Sequence, residues 1–127
     1  MARVALDTDV VIAFLDPGDA QHAGAVQALG RHLAGGDEIL IGATVYAEVI
    51  VRPLQQGTAE KVDEFLAAIN AQVIVVDRLL ARAAAGLRAR HRAVRLPDAI
   101  ALATALTRDA EFLTLDRDLQ RIATKER

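Results

Sequence analysis

Four short apolar segments recur along the chain, Val4–Leu6, Glu38–Ile41, Val73–Val76 and Glu111–Leu115, and longer stretches of helical spacing separate them. Each is rich in Val, Ile, Leu or Thr, the pattern of a strand buried on both faces. Between the first two, Asp19 is placed to cap a helix that reaches about Leu33 and stops at Gly35-Gly36. Thr44 is placed to cap a helix through Val45, Val49 and Arg52, with Pro53 near its end. Gly57-Thr58 opens the next, which aligns Val62, Phe65, Leu66 and Ile69 on one stripe. Asp77 caps a helix from Leu79 to about Arg92, and Pro97 suits the first turn of a helix over Asp98–Thr107. Strands alternating with helices predict an α/β fold, a three-layer α/β/α domain with a central parallel sheet of four to five strands. No linker, repeat or low-complexity tract interrupts the pattern, so residues 1–127 read as a single domain.

The core of such a sheet must here be aliphatic, because aromatic residues make up 3% of the chain against 53% hydrophobic residues in all. With 15 basic and 17 acidic residues, total charge announces no nucleic-acid binder, although acids gathered in one pocket can leave a basic surround. Cysteine is absent, which excludes disulfides, thiolate zinc sites and a cysteine nucleophile. The longest apolar runs, such as Val10–Leu15, are far too short to span a bilayer, and nothing like a signal peptide precedes the first strand. A soluble, cytoplasmic protein with no membrane association is expected. The polar end from Ala123 to Arg127 is expected to fray.

Ligands of open parallel sheets bind beyond the carboxyl ends of the strands, and the acids fall near those ends. Asp7 and Asp9 follow the first strand, and Asp116 follows the last. Glu48 lies about one turn into the helix after the second, and Asp98 begins the helix that leads into the last. Singly, each has a structural explanation. Asp7 or Asp9 can cap a helix near Val10, and Asp116 can cap a short helix ending near Ile122. Asp98 suits a first turn, and Glu48 can pair with Arg52. Glu48 is the least ordinary, because its sequence neighbours Val45, Tyr46, Val49, Ile50 and Val51 are apolar. Together, carboxylates at one rim repel each other, and such a cluster raises its own pKa values or recruits a cation. Oxygen-only ligation without cysteine points to a hard ion, Mg²⁺ or Mn²⁺. Thr114 reads equally as a strand residue or as a hydrogen-bond donor to a ligand carboxylate or phosphate.

The string Val4-Ala-Leu-Asp7-Thr8-Asp9-Val10-Val11-Ile12 resembles the opening of a PIN domain. The isolated acid in Thr44-Val-Tyr-Ala-Glu48-Val, the segment Leu96-Pro97-Asp98-Ala-Ile-Ala-Leu-Ala and the closing Phe112-Leu-Thr114-Leu-Asp116-Arg-Asp118-Leu resemble the family's further acidic motifs, in order. The resemblance runs from Arg3 to about Leu119. It implies that Asp7, Glu48, Asp98 and Asp116 are the catalytic and metal-binding acids; Asp9 and Thr114 are candidate accessory residues beside them, from their own places in the chain. Single-domain members of this size are similar to VapC toxins. That implies a metal-dependent endoribonuclease, an RNA substrate, a cognate antitoxin protein and a homodimer. In the mechanism so implied, Asp7 and Asp98 hold the principal ion, Glu48 and Asp116 complete the pocket, and Glu48 orients the attacking water. Two features depart from the pattern: Asp9 stands where many members carry Asn or Ser, and no final short strand is evident after Ile122.

Other readings are open or weaker. A PIN nuclease that processes RNA without an antitoxin fits the same residues, and so does a silent PIN-like binding module, against which the retention of all four acids argues. Asp7-Thr8-Asp9-Val10-Val11 also resembles the nucleophile motif of haloacid dehalogenase-type phosphatases, and Asp77 could serve a receiver domain. Both need a well-placed late lysine, and the chain offers only Lys61 and Lys125. The run from Arg88 to Arg95 reads slightly better as a solvated helix end than as a phosphate-binding patch, since aromatic stacking partners are missing nearby. His22, His32 and His91 read as isolated surface residues. The alanines of Ala81–Ala85 permit close helix packing between copies.

Overall fold

The computed structural model describes residues 2–127. The elements run β1 (Arg3–Leu6), α1 (Thr8–Leu15), α2 (His22–Ala34), β2 (Glu38–Gly42), α3 (Ala43–Gln56), α4 (Ala59–Ala68), β3 (Gln72–Ile74), α5 (Arg78–Arg90), α6 (Leu96–Thr107), β4 (Glu111–Leu113) and α7 (Arg117–Glu126). The sheet has four strands in the order β3-β2-β1-β4, every pair parallel. The expected α/β architecture is thus present, with the smaller of the two expected strand counts among the described residues.

Right-handed crossovers, the rule for parallel strands, put α1 to α4 on one face and α5 and α6 on the other. The packing agrees, with α1 against α2 and α3, and α5 against α6. Val4, Ala5 and Leu6 of β1 and Ile39, Leu40 and Ile41 of β2 are all buried, as central strands covered on both faces require. Helix α6 is apolar almost all round, burying Ala99, Ala101, Leu102, Ala103 and Ala105 between the sheet and α5. Its small side chains let α5 approach closely. The alanine stripe on α5 is partly used inside the chain: Ala84 is buried with Leu80 and Leu87, while Ala81 and Ala85 stay exposed.

Several sequence expectations need correction. The third strand is Gln72–Ile74, and its buried reading holds only for Ile74, because it is an edge strand paired with β2 alone; Val73 is 47% exposed and Val75 66%. Asp19 does not cap α2. Its carboxylate accepts from the Gln21 N–H at 2.8 Å in the preceding turn, and Gln21 takes the cap position. Thr44 does not cap α3 either: Gly42 does, and a β-carbon there would lie 2.9 Å from Thr104 Oγ1 on α6. Asp77 caps α5 as expected, accepting from Leu80 N at 2.9 Å. Gly36 ends α2 at φ 71, a left-handed conformation that favours glycine.

The C-terminus is helical to Glu126 rather than frayed from Ala123. Glu126 accepts from Arg90 at 2.8 Å and bonds His91 at 2.7 Å, and Arg127 donates to the Ala110 carbonyl at 2.9 Å. The histidines are not isolated. His91 belongs to that latch, His22 donates to the Ala13 carbonyl at 2.7 Å, and His32 bridges Asp37 and Glu111 at 2.8 and 2.9 Å. No helix among the described residues is long and apolar enough to cross a membrane.

Candidate active site

Strand order reverses direction at β1: the chain moves outward from β1 to β2 and β3, then returns to place β4 on the other side. The crevice beyond the carboxyl ends of β1 and β4 is therefore the switch point where an open parallel sheet binds ligands. Asp7 lies there, its N–H donating to the Leu113 carbonyl at 2.9 Å so that the β1–β4 pairing continues one residue past the strand.

Asp7 is both a helix cap and the most buried acid, 6% exposed. One carboxylate oxygen accepts from the Thr8 N–H at 2.8 Å, the capping bond of α1. The other accepts from Thr114 Oγ1 at 2.8 Å. Burial pushes its pKa up to about 6, the Thr114 and Thr8 hydrogen bonds oppose this, and the charges of Asp9 and Asp98 add to it. The capping role is therefore real, but a cap lowers a carboxyl's pKa and does not account for one that burial raises to about 6.

Asp9 sits in the first turn of α1. Its Oδ2 accepts from Leu115 N at 3.1 Å and lies 3.3 Å from Thr114 Oγ1, while Oδ1 is buried without a partner. Burial raises its pKa, against the hydrogen bonds from Leu115, Val10 and Thr114 and with the charge of Asp116. Thr114 is itself buried at the end of β4. Its hydroxyl has one proton, given to Asp7 at the shorter distance, and its oxygen accepts from Asp116 N at 3.2 Å. Of the two expected roles the structure shows the donor: Thr114 lies one residue past β4, outside the strand, and donates to a carboxylate.

Asp98, in the first turn of α6, is half-buried, with Arg95 Nε 3.6 Å away. Burial raises its pKa; Arg95 pulls it down, and Asp116 and Glu48 push it up. Asp116 caps α7 through Oδ1, which accepts from Asp118 N at 2.9 Å and Leu119 N at 3.1 Å. Glu48 is exposed, contrary to the apolar setting its sequence neighbours suggest. Val45 and Val49 face the core while Glu48 points to the rim. No ion pair with Arg52 forms among the described residues; Glu48 instead accepts from Thr8 Oγ1 at 2.8 Å. The one sequence signal for Thr8 is its place directly after Asp7; that it faces α3 is a fact of packing.

The structure therefore brings all five acids to one rim, each within electrostatic reach of at least one other. It does not draw them into a closed ligand cage: among the described residues no three acidic or histidine side chains stand close enough to hold one ion. The reason is visible in the hydrogen bonds. Asp7 is turned to Thr8 and Thr114, Glu48 to Thr8, Asp98 towards Arg95 and Asp116 to its own helix. The donor set nevertheless fits a hard divalent cation. It is all oxygen, it contains the buried and unpartnered Oδ1 of Asp9, and its carboxyls carry mutual repulsion that positive charge would relieve.

The PIN-domain family model matches residues 4–125. No curated protein sequence gives a significant match. Among solved structures, the chain is similar to a toxin–antitoxin complex from Klebsiella pneumoniae, with 26% identity and a TM-score of 0.74 over 89% of this chain and 86% of that one. It is similar also to VapC20 of Mycobacterium tuberculosis, a sarcin–ricin-loop-cleaving toxin, with 20% identity and a TM-score of 0.73 over 93% of each chain. VapBC2 from Rickettsia felis, bound to a DNA fragment from its promoter, matches with 17% identity and a TM-score of 0.73 over 94% of this chain and 92% of that one. At such identities the last two speak for the fold alone.

Proposed function

The chain belongs to the PIN-domain family, and from that premise we propose that it is a divalent-metal-dependent endoribonuclease, the toxin of a VapBC-type pair. The observation that carries the reading is Asp7. A carboxylate buried to 6% exposure, with a pKa of about 6 beside Asp9 and Asp98 at the sheet's switch point, is an expensive arrangement unless a cation balances it.

Asp7 and Asp98 are the residues to hold the ion, with Asp9 Oδ1, Glu48 and Asp116 completing the donor set. When bound, such an ion, Mg²⁺ or Mn²⁺, would supply positive charge against the scissile phosphate and acidify water. The chain's own groups do the rest. Thr114 and the Thr8 N–H keep Asp7 ionised by donating to its two oxygens. Thr8 Oγ1 fixes Glu48 at the mouth of the crevice, where the carboxylate can orient an attacking water and take its proton. Arg95, at the N-cap of α6, sets a cation next to Asp98, where a backbone phosphate of the substrate can meet it.

The likeness to the Klebsiella pneumoniae complex supports a cognate antitoxin as partner, and the family resemblance supports a homodimer. A direct test is expression of the chain alone in a bacterial host. Growth arrest by the wild type, absent with Asp98→Asn and relieved by the product of a neighbouring small gene, is the expected result. Unimpaired growth with the folded wild-type protein accumulating would argue against the toxin role.

A further inference from the structure

The peptide unit that joins Thr114 to Leu115 is gripped from both sides. It is trans, so its carbonyl and its N–H point in opposite directions. The N–H, of Leu115, donates to Asp9 Oδ2 at 3.1 Å. The carbonyl, of Thr114, accepts from Gln120 Nε2 at 2.7 Å. Gln120 lies one turn into α7, four residues after the cap Asp116, and its backbone N–H donates to the Asp116 carbonyl at 2.9 Å. Helical side chains lean back toward the N-terminus, so its amide falls over the start of α7 and meets the residue that follows β4. Gln120 is exposed, yet it gives up the rotamer freedom of a long side chain to hold this carbonyl. Holding the carbonyl fixes the peptide plane, and fixing the plane aims the N–H. It also strengthens that donor, because hydrogen bonds in series polarise one another. The aim matters to Asp9: burial raises its carboxyl, and the Leu115 hydrogen bond is the largest effect opposing this. With Oδ2 so engaged, Asp9 keeps Oδ1 buried and without a partner.

We propose that Gln120 is a positioning residue for the metal site, acting on Asp9 through the Thr114–Leu115 peptide so that Oδ1 is the oxygen kept free for a cation. The inference rests on the nuclease reading, in which Asp9 belongs to the donor set, and deepens it. Gln120 acts through the peptide, not on the reacting atoms. Without its amide the peptide plane is free to rotate, the Leu115 N–H turns from Asp9, and the carboxylate loses its fixed orientation.

The test is Gln120→Met in the full chain, which keeps an unbranched side chain and a similar helix propensity but has no donor. With no cation added, the Leu115 amide should exchange with solvent about fivefold faster, the worth of one ordinary hydrogen bond, while amides within α7 such as that of Ala123 keep their protection. Mn²⁺ affinity, read by calorimetry, should fall about tenfold, the low end for partners that orient a ligand. In an Asp9→Ala background the same substitution should leave Mn²⁺ affinity unchanged, because its route to the cation is gone. Unchanged Leu115 exchange, or an affinity loss of the same size with and without Asp9, would overturn the assignment and leave the nuclease reading intact. Protection lost throughout α7 would also overturn it, reducing Gln120 to a support of its own helix. A wild-type chain that neither binds Mn²⁺ nor cleaves RNA would instead bring down the nuclease reading, and this assignment with it.

Discussion

Thr114 Oγ1 lies 2.8 Å from Asp7 Oδ2, joining the residue after β4 to the residue after β1 across the junction where the sheet changes direction. The hydroxyl can give its proton only once, so Asp7 holds it and Asp9 Oδ2 is left with a longer contact; its other oxygen, Oδ1, has no partner. Thr114→Val removes the strongest opposition to burial, and the Asp7 carboxyl should rise further above about 6. The ionised form then appears at higher pH, so the acid limb of the pH–activity profile should move upward, while Thr114→Ser leaves it in place. An unmoved limb in the valine variant would separate Asp7 from the titration that governs activity. Loss of such a supporting partner typically lowers metal affinity about 10- to 100-fold, which Mn²⁺ titration measures.

The same burial makes a stability prediction. Asp7 titrates at about 6 in the fold against 3.8 ordinarily. The metal-free fold therefore loses stability as pH rises from about 4 through 6, because only the native state resists ionisation. At about 1.4 kcal/mol per tenfold change in proton affinity, the deficit at neutral pH is about 3 kcal/mol. Asp7→Asn keeps a capping oxygen and removes the charge. Without metal at pH 7.5 it should melt above wild type, the gap should close near pH 4, and it should not cleave RNA. A variant less stable than wild type at pH 7.5 would contradict this.

Thr8 anchors Glu48 through its hydroxyl. Thr8→Ala keeps the backbone N–H that caps on Asp7 and frees Glu48 to swing. Cleavage should fall at least tenfold in kcat, with KM and the melting temperature nearly unchanged, and Thr8→Ser should restore it. A change confined to KM would place Glu48 in RNA binding instead.

Gly42 sets the distance between α3, which carries Glu48, and α6, which carries Asp98. Its missing β-carbon would stand 2.9 Å from Thr104 Oγ1. Gly42→Ala should cost about 1–3 kcal/mol by overpacking, and Thr104→Ala should recover part of that in a double-mutant cycle. Additive effects in chemical denaturation would mean that the two helices do not meet through this pair.

What could be read from the sequence was whatever depends on local order along the chain. Strand-like runs alternating with helical spacing gave the parallel sheet, and acids just past the strand ends gave a rim, because strand ends converge in any such sheet. What stayed hidden depends on contacts between distant residues. Gly42 caps α3 in place of Thr44, and its missing β-carbon leaves room for Thr104, far along the chain. Val73 and Val75 have a core composition, but Val73 lies on an edge strand and Val75 just past its end, a fact of strand order. The C-terminal turn holds because Arg90 and His91 reach Glu126 from α5. Glu48 looked buried because its neighbours in sequence are apolar, yet helical geometry turns them to the other face.

In the proposed function, the carboxylates around Asp7 and Asp98 cut RNA with a divalent cation. The most direct measurement is cleavage of a panel of structured RNAs by wild type and Asp98→Asn, each with Mg²⁺ or Mn²⁺ and with a chelator. Cleavage by wild type that needs the cation and disappears in the variant is the predicted result. Cleavage that survives either the chelator or the substitution would contradict the account.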